Sequence, residues 1–299
     1  MPIRSGASTD GKPPAPATLA ERLVASYAED LSVRVEAGHE LPSPPDVTQV
    51  LVELRELLFP GATTSVGFTG GPALTALIEA RIAQVRLRLS RQVFRGLHYR
   101  CTQVGYDCAA CEQKSFFITD ALLDCLPALR ATLLTDVRAA YDGDPAASGT
   151  DEVVFAYPGV RAVIVYRLAN RLYQLGAMII PRMMTEIAHS DTGIDLHPAA
   201  TIGGAFFIDH GTGVVIGETT KIGERVRIYQ GVTLGALSLP TAKVRALSSE
   251  KRHPTIEDDV IIYANATILG GQTVIGRGAV IGGNCFITES VPAGARRSG

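Results

Sequence analysis

An aliphatic residue recurs every six positions in two runs of the chain, apart from one step of eight after Ile208 and one of seven after Ile268. The positions are Leu196, Ile202, Ile208, Ile216, Ile222, Ile228 and Leu234, then Ile256, Ile262, Ile268, Ile275, Ile281 and Ile287. A period of six fits neither an α-helix nor an amphipathic strand, and it is typical of hexapeptide repeats. The pattern therefore predicts a left-handed parallel β-helix, in which three short strands make one coil and the aliphatic residues stack inward.

The predicted β-helix covers residues 191–292, and 293–299 form a short C-terminal tail. Small or apolar residues four positions after the aliphatic ones are expected to help fill the core. These are Ala200, Phe206, Thr212, Thr220, Val226 and Val232. Residues 236–255 break the period and are rich in Ser, Lys and Arg, so we expect an extended loop there.

Residues 19–190 show apolar positions at helical spacing instead. Pro60-Gly61 is expected to close one helix, and Pro72 is expected in the first turn of another. Pro127 and Pro181 are expected to bend or break helices. The fold class is therefore α+β, an α-helical domain followed by a β-helix. Residues 1–18 have the composition of a disordered tail.

The net charge and the hydropathy of the whole chain argue against nucleic-acid binding and against a membrane-spanning protein. A formal net charge of −2 over 299 residues gives no electrostatic footprint for nucleic acid or an anionic membrane. No apolar run reaches membrane-spanning length, and the N-terminus lacks the apolar segment of a secretory signal. A cytoplasmic location is the expectation.

The cysteines offer one metal hypothesis. His98, Cys101, Cys108 and Cys111 form an H-x2-C-x6-C-x2-C pattern that can be written as a zinc site. The spacing matches no common finger or ribbon, so we favour ordinary thiols in a reducing compartment and predict no metal. Cys285 falls at an inward position and is expected in the core.

Acidic and imidazole side chains are concentrated in the first coils of the predicted β-helix. Asp195 and His210 are fifteen residues apart, close to one coil of about eighteen, so adjacent coils can bring them together. A carboxylate that binds one imidazole nitrogen leaves the other free to accept a proton. We therefore predict His210 as a general base for a hydroxyl, whereas a structural role is favoured for His197.

Several short motifs carry a family resemblance. They are Gly143-Asp144-Pro145-Ala146, Tyr157-Pro158-Gly159, Tyr166-Arg167, Asp195-Leu196-His197-Pro198, Asp209-His210-Gly211-Thr212-Gly213, Gly217-Glu218-Thr219, Val232-Thr233-Leu234-Gly235 and Arg252-His253-Pro254. In this order they resemble serine O-acetyltransferase, from about residue 135 to residue 292. The resemblance implies acetyl transfer from acetyl-CoA to L-serine for cysteine biosynthesis, with acetyl-CoA as a co-substrate and no tightly bound cofactor.

The resemblance also implies roles for residues. His210 matches the base that deprotonates the serine hydroxyl, with Asp195 orienting it, so that serine attacks the thioester directly. Asp144 and Asp209 match the acids that hold the substrate ammonium. Arg252 and His253 match the groups that hold its carboxylate, a task that suits a guanidinium.

Further expectations concern assembly. The resemblance implies a homotrimer or a dimer of trimers, with CoA in a groove between neighbouring β-helices lined by Gly235, Ala236, Ala264 and Gly283. The loop at 236–255 is longer than in the familiar bacterial enzyme and lacks its Gly-rich character. Docking to cysteine synthase is not expected, because the sequence lacks the tail ending in Ile.

Three other functions remain open at this point. A β-helix acetyltransferase for another hydroxyl, such as a sugar, would use the same base but would not need both acids and Arg252 with His253. A γ-type carbonic anhydrase would bind zinc through His197, His210 and His253. A non-catalytic scaffold would bind no acetyl-CoA.

Overall fold

The computed structural model describes residues 18–29, 40–61, 71–103, 110–237 and 250–298. Most of the predicted N-terminal tail and most of the predicted loop at 236–255 lie outside these residues. The chain divides into two compact units, Met1–His39 and Glu40–Gly299. In the first unit the described element is α1 (Leu19–Glu29), whose first turn is capped by reciprocal hydrogen bonds between Thr18 and Glu21.

The second unit begins with helices. In the described part of the chain they are α2 (Pro44–Leu58), α3 (Pro72–Gln103), α4 (Cys111–Asp124), α5 (Leu126–Gly143), α6 (Thr150–Ala156), α7 (Pro158–Gln174) and α8 (Ile179–Thr192). Helix packing buries the predicted stripes, for example Val47, Val50 and Leu54 of α2. No described helix is both long and apolar enough to cross a bilayer.

Prolines set several helix boundaries as predicted. Helix α2 ends just before Pro60-Gly61, and Pro72 opens α3, where its missing N–H costs no hydrogen bond. Pro127 lies in the first turn of α5, directly after α4 ends. Pro181 likewise lies in the first turn of α8, directly after a helix break in which Met178 has a φ of 56°.

The remainder of the second unit is a left-handed β-helix of parallel strands. The strands are β1 (Asp195–Leu196), β2 (Thr201–Ile202), β3 (Phe207–Asp209), β4 (Val215–Ile216), β5 (Lys221–Ile222), β6 (Arg227–Tyr229), β7 (Thr233–Gly235), β8 (Thr255–Ile256), β9 (Ile261–Ile262), β10 (Thr267–Leu269), β11 (Val274–Ile275), β12 (Val280–Ile281), β13 (Phe286–Ile287) and β14 (Arg296–Arg297). They form three sheets.

Each sheet is one face of a triangular prism. Face A contains β1, β4, β7, β10 and β13; face B contains β2, β5, β8 and β11; face C contains β3, β6, β9, β12 and β14. We call the corner where the chain passes from face C to face A the C/A edge, and the corner from face A to face B the A/B edge. Strand pairing continues to β14, beyond the residue at which the sequence placed a tail.

The aliphatic repeat forms the core as predicted. On face A, for example, Leu196 pairs with Ile216, Ile216 with Leu234, and Leu234 with Ile268. Every aliphatic residue of the two runs is at least nine-tenths buried, and Cys285 joins them. Thr212 does not, because two extra residues, His210 and Gly211, turn this corner in left-handed conformations. The exposed Thr212 is replaced in the core by Val214.

A buried ion pair joins the helices to the first coil. Arg167 of α7 donates two hydrogen bonds to Asp136 of α5, at 2.6 and 2.7 Å, and further bonds to the carbonyls of Ile202 and Gly203. Asp136 also accepts the backbone N–H of Phe206. The network satisfies both charges and ties the β-helix to two helices.

We predict that Arg167→Met lowers the free energy of unfolding by about 3–5 kcal/mol, because it leaves Asp136 charged, buried and unpaired. Urea denaturation followed by circular dichroism measures the change. Arg138→Met on the exposed side of α5 is the matched control and should stay within about 0.5 kcal/mol of wild type. Equal stability of Arg167→Met and wild type would contradict this role of the pair.

Candidate active site

Acidic, phenolic and imidazole groups meet near the C/A edge. We call Asp144, Tyr157, Asp209, His210 and Arg227 the carboxylate cluster. Asp144 is the C-terminal cap of α5, and Tyr157 immediately precedes α7. Asp209 ends β3 and Arg227 begins β6, the neighbouring strand of face C. The helices and the β-helix therefore both supply groups to this cluster.

Asp144 is held by two hydrogen bonds. The hydroxyl of Tyr157 donates to one carboxylate oxygen at 2.6 Å, and the backbone N–H of Ala146 donates to the other at 2.9 Å. These bonds, and more weakly the nearby His210 and Arg227, lower the pKa of Asp144. The same contact raises the pKa of Tyr157 to about 12. Asp144 is therefore an oriented carboxylate that is charged at neutral pH.

His210 lies in the turn that follows β3. Its φ is 59°, and its side chain is 73 % exposed. Its Nε2 lies 3.8 Å from Oδ1 of Asp209, whose other oxygen accepts a 2.5 Å hydrogen bond from Arg227. The backbone conformation presents the imidazole to solvent while a charged pair lies behind it.

Asp195, the residue predicted to orient His210, lies in the first coil. It begins β1 on face A, and one of its carboxylate oxygens lies 3.7 Å from a guanidinium nitrogen of Arg182. No hydrogen bond or ion pair between Asp195 and His210 is found among the described residues. The carboxylate that contacts the imidazole within this chain is Asp209.

A second group of side chains lies at the A/B edge. We call His197, Glu218, Thr219, Arg252 and His253 the arginine–histidine cluster. Arg252 pairs with the carboxylate of Glu218. The hydroxyl of Thr219 accepts the backbone N–H groups of Arg252 and His253, at 2.8 and 3.0 Å. The turn between β4 and β5 thus holds both residues in place where the chain returns to the repeat.

The imidazole of His253 is buried and its orientation is defined. Its Nδ1 accepts the backbone N–H of Thr219 at 3.1 Å, so the neutral ring carries its proton on Nε2. Gly217 makes room for the ring, since a Cβ there would lie 2.0 Å from it. Burial, followed by the neighbouring Arg252, lowers the pKa of His253 to about 4.

The two clusters occupy opposite edges of face A. The residues predicted to line the CoA groove are also split between the two edges. Ala264 and Gly283 lie at the C/A edge, and Gly235 and Ala236 lie at the A/B edge. A Cβ on Gly283 would lie 3.2 Å from the carbonyl oxygen of Ala264, so these two positions are neighbours. Within one chain, His210 is therefore separated from Arg252 and His253 by the width of a face.

The metal hypotheses have little geometric support. His197 lies near His253 at the A/B edge, whereas His210 lies at the C/A edge, so the three imidazoles of a carbonic anhydrase site do not converge within one chain. In the helical part of the chain, the sulfur atoms of Cys101 in α3 and Cys111 in α4 lie 3.6 Å apart. Cys108 lies outside the described residues. In the described part of the chain, no group of three His, Cys, Asp or Glu side chains is placed to hold a metal ion.

Sequence reasoning included Tyr157, Glu218 and Thr219 in the motifs of the resemblance but gave them no role, and it missed Arg227. Arg227 lies on the strand next to Asp209, whose partner in register is Tyr229, so the coil spacing alone did not reveal the pair. Lys251 also contributes at the A/B edge, where it donates to the carbonyls of Thr219, His253 and Pro254.

Comparisons with known proteins agree on one enzyme family. No family model matches the chain. A plasmid-encoded serine acetyltransferase of Synechococcus elongatus is 47 % identical over 266 residues, which is 86 % of this chain and 81 % of the relative. A serine acetyltransferase of Mycobacterium tuberculosis is 48 % identical over 160 residues, 54 % of this chain and 66 % of the relative.

Solved structures give the same result. Serine acetyltransferase 1 of Entamoeba histolytica, crystallised with L-cysteine, matches with a TM-score of 0.70 and 34 % identity over 93 % of this chain and 96 % of that one. A serine acetyltransferase of Neisseria gonorrhoeae in complex with serine matches with a TM-score of 0.55 and 26 % identity over 84 % and 95 %.

We predict that the His253 ring titrates with a midpoint of about 4 in the folded protein, measured by NMR with His253→Asn for assignment. Since the unfolded ring titrates near 6.5, the unfolded state binds the extra proton between these values. This ring's contribution to stability is therefore present above pH 6.5 and is lost as the pH falls towards 4. A midpoint near 6.5 would contradict the buried position.

Proposed function

The chain belongs to the serine acetyltransferase family, and on that basis we propose that it transfers the acetyl group of acetyl-CoA to the hydroxyl of L-serine. The product, O-acetylserine, serves cysteine biosynthesis. The single observation that supports this best is the exposed imidazole of His210 beside the oriented carboxylate of Asp144. A base and an anion at one edge suit a substrate that carries both a hydroxyl and an ammonium group.

In this proposal His210 acts as a general base. It takes the proton of the serine hydroxyl while the oxygen attacks the thioester carbonyl of acetyl-CoA. The C–S bond then breaks, the CoA thiolate leaves, and the proton held on His210 neutralises it. No enzyme nucleophile is required, so atoms and charges balance within one ternary complex. Asp195 remains a prediction as a residue that orients His210.

Asp144 and Asp209 are proposed to hold the substrate ammonium. Asp144 suits this role because Tyr157 and Ala146 fix both of its oxygens and keep it charged. Asp209 is also in place, but one of its oxygens already binds Arg227. Asp144 is therefore expected to provide the greater part of the attraction for the ammonium.

Arg252 and His253 are proposed to hold the substrate carboxylate. The guanidinium provides charge, and the Nε2–H of neutral His253 provides a directed donor. Glu218, which pairs with Arg252, keeps the guanidinium in position until the substrate arrives. This opposite-charge arrangement favours an amino acid over a sugar, which would need the base His210 but neither the two acids nor Arg252 with His253.

The active protein is proposed to be at least a homotrimer. One chain holds the base and the acids at the C/A edge and the carboxylate-binding groups at the A/B edge, so neither edge alone can bind serine. A cyclic arrangement sets the C/A edge of one copy against the A/B edge of the next and completes each site. Gly235, Ala236, Ala264 and Gly283 would then line one groove for acetyl-CoA.

We expect wild-type protein to release CoA from acetyl-CoA only when L-serine is present, as followed with a thiol reagent. His210→Ala should lower kcat by about 10²–10⁴-fold, the range for loss of a general base. Asp144→Ala should mainly raise the KM for serine. Asp142→Asn, on an exposed position of α5, is the control and should resemble wild type.

Release of CoA with a sugar acceptor, but not with serine, would shift the assignment to another hydroxyl acetyltransferase. Folded protein that releases no CoA with any acceptor would favour a scaffold.

A mixing experiment tests the shared site. His210→Ala and His253→Ala are each expected to be inactive, because each lacks one half of every site. Unfolding and refolding them together at equal amounts should restore activity to about a quarter of wild type, since half of the subunits supply each intact half. Mixed protein that stays inactive, while refolded wild type recovers, would place both histidines in one subunit's site.

A further inference from the structure

Lys251 lies where the chain returns to the repeat, one residue before Arg252. Its ammonium group donates to the backbone carbonyls of Thr219 at 3.1 Å, of His253 at 2.6 Å and of Pro254 at 3.3 Å. A protonated lysine has three donors, so these bonds use all of them. Lys251 forms no ion pair with any residue that the structure describes. Its cation is therefore bound by the backbone rather than by a carboxylate.

Two of these carbonyls depend on Lys251. No other donor in the described part of the chain reaches the carbonyl of Thr219 or that of His253. The carbonyl of Pro254 also accepts the backbone N–H of Lys221, at 3.2 Å. Leaving a buried acceptor without its donor costs free energy. The ammonium therefore serves both the turn between β4 and β5 and the segment that leads into β8.

The backbone next to Lys251 is held from two sides. On one side, the hydroxyl of Thr219 accepts the N–H groups of Arg252 and His253. On the other side, the carbonyl oxygen of Lys251 packs against Gly271, in the turn between β10 and β11, where a Cβ would lie 1.9 Å from that oxygen. The residues proposed to bind the substrate carboxylate thus belong to a segment whose amides and carbonyls are both bound.

We propose that Lys251 is a positioning residue, which holds Arg252 and His253 in the geometry that binds the substrate carboxylate. It acts through the backbone, because its ammonium connects the carbonyl of His253 to that of Thr219 on the neighbouring coil. This inference rests on the proposed function for the roles of Arg252 and His253. The contacts of Lys251 can nevertheless be tested without activity.

The chemistry of the two adjacent cations agrees with this division. A compact ammonium with three rotatable donors suits separate carbonyl groups, whereas a planar guanidinium suits a carboxylate. Lys251 binds three carbonyls, and Arg252 pairs with the carboxylate of Glu218. Lys251 thus keeps the backbone in place, and the neighbouring guanidinium is the group proposed to bind the carboxylate of serine.

The first test uses Lys251→Met, which keeps an unbranched side chain of similar length and removes all three donors. We expect the KM for serine to rise about five- to tenfold, the factor that corresponds to the net energy of one hydrogen bond. The kcat and the KM for acetyl-CoA should stay near their wild-type values. An unchanged KM for serine, or equal losses in all three constants, would overturn the proposal.

Lys221→Met is the matched control. Lys221 is an exposed cation at the start of β5, and its backbone N–H, rather than its side chain, binds the carbonyl of Pro254. This variant should therefore leave all three constants unchanged. Circular dichroism checks that both variants keep the fold.

Chemical rescue tests whether the ammonium itself is responsible. Lys251→Ala removes a propylammonium group, so added n-propylammonium should lower the KM of this variant for serine towards the wild-type value. Tetramethylammonium carries the same charge but has no N–H donor, and it should have no effect. Rescue by both cations, or by neither, would contradict the hydrogen bonds as the cause.

Amide hydrogen exchange, followed by NMR, separates this proposal from the proposed function. The N–H groups of Arg252 and His253 should exchange faster in Lys251→Met than in wild type or in Lys221→Met. Faster exchange in a protein that shows no serine-dependent release of CoA would support the contacts of Lys251 and refute the reaction. Unchanged exchange would overturn the role of Lys251 and, in active enzyme, would leave the reaction intact.

Discussion

The buried contact between Arg167 and Asp136 is the constraint on which the active-site geometry depends. It ties α5 and α7 to the carbonyls and amides of the first coil. Because Asp144 lies at the end of α5 and Tyr157 at the start of α7, the same contact sets where these two groups lie beside His210. A buried ion pair adds little net stability, but it requires a defined geometry. This requirement suits a contact that aligns side chains of the helices with side chains of the β-helix.

Repetition explains how the β-helix presents its chemical groups. Since inward positions are filled by aliphatic residues in every coil, the coils differ mainly in what they carry at their edges. His210, Ala264 and Gly283 follow one edge, and Gly235, Arg252 and His253 follow another. Each edge thus carries residues proposed to bind serine and residues proposed to bind acetyl-CoA. This is the basis for proposing that two neighbouring copies form each complete site.

The sequence predicted the fold because the fold depends on local spacing, and the period of six placed the aliphatic residues in the core. The proposed site residues came from short motifs around His210 and His253. The sequence did not predict that these two histidines lie at different edges, since the aliphatic repeat alone does not say on which face it resumes at Thr255. Nor did it predict the pairing of Asp209 with Arg227, which depends on the choice among outward side chains on adjacent strands.

The A/B edge has one consequence for how such a protein can change over evolution. Strand β5 pairs directly with β8, although the chain between them also makes two further strands and leaves the repeat after Leu237. The register Lys221↔Thr255 therefore does not depend on the length of the interruption. Because lengthening a loop costs only about 0.6 kcal/mol per doubling, this corner can accept insertions beside the substrate groups while the coils above and below stay aligned. Acceptor preference can thus diversify there independently of the folding of the prism.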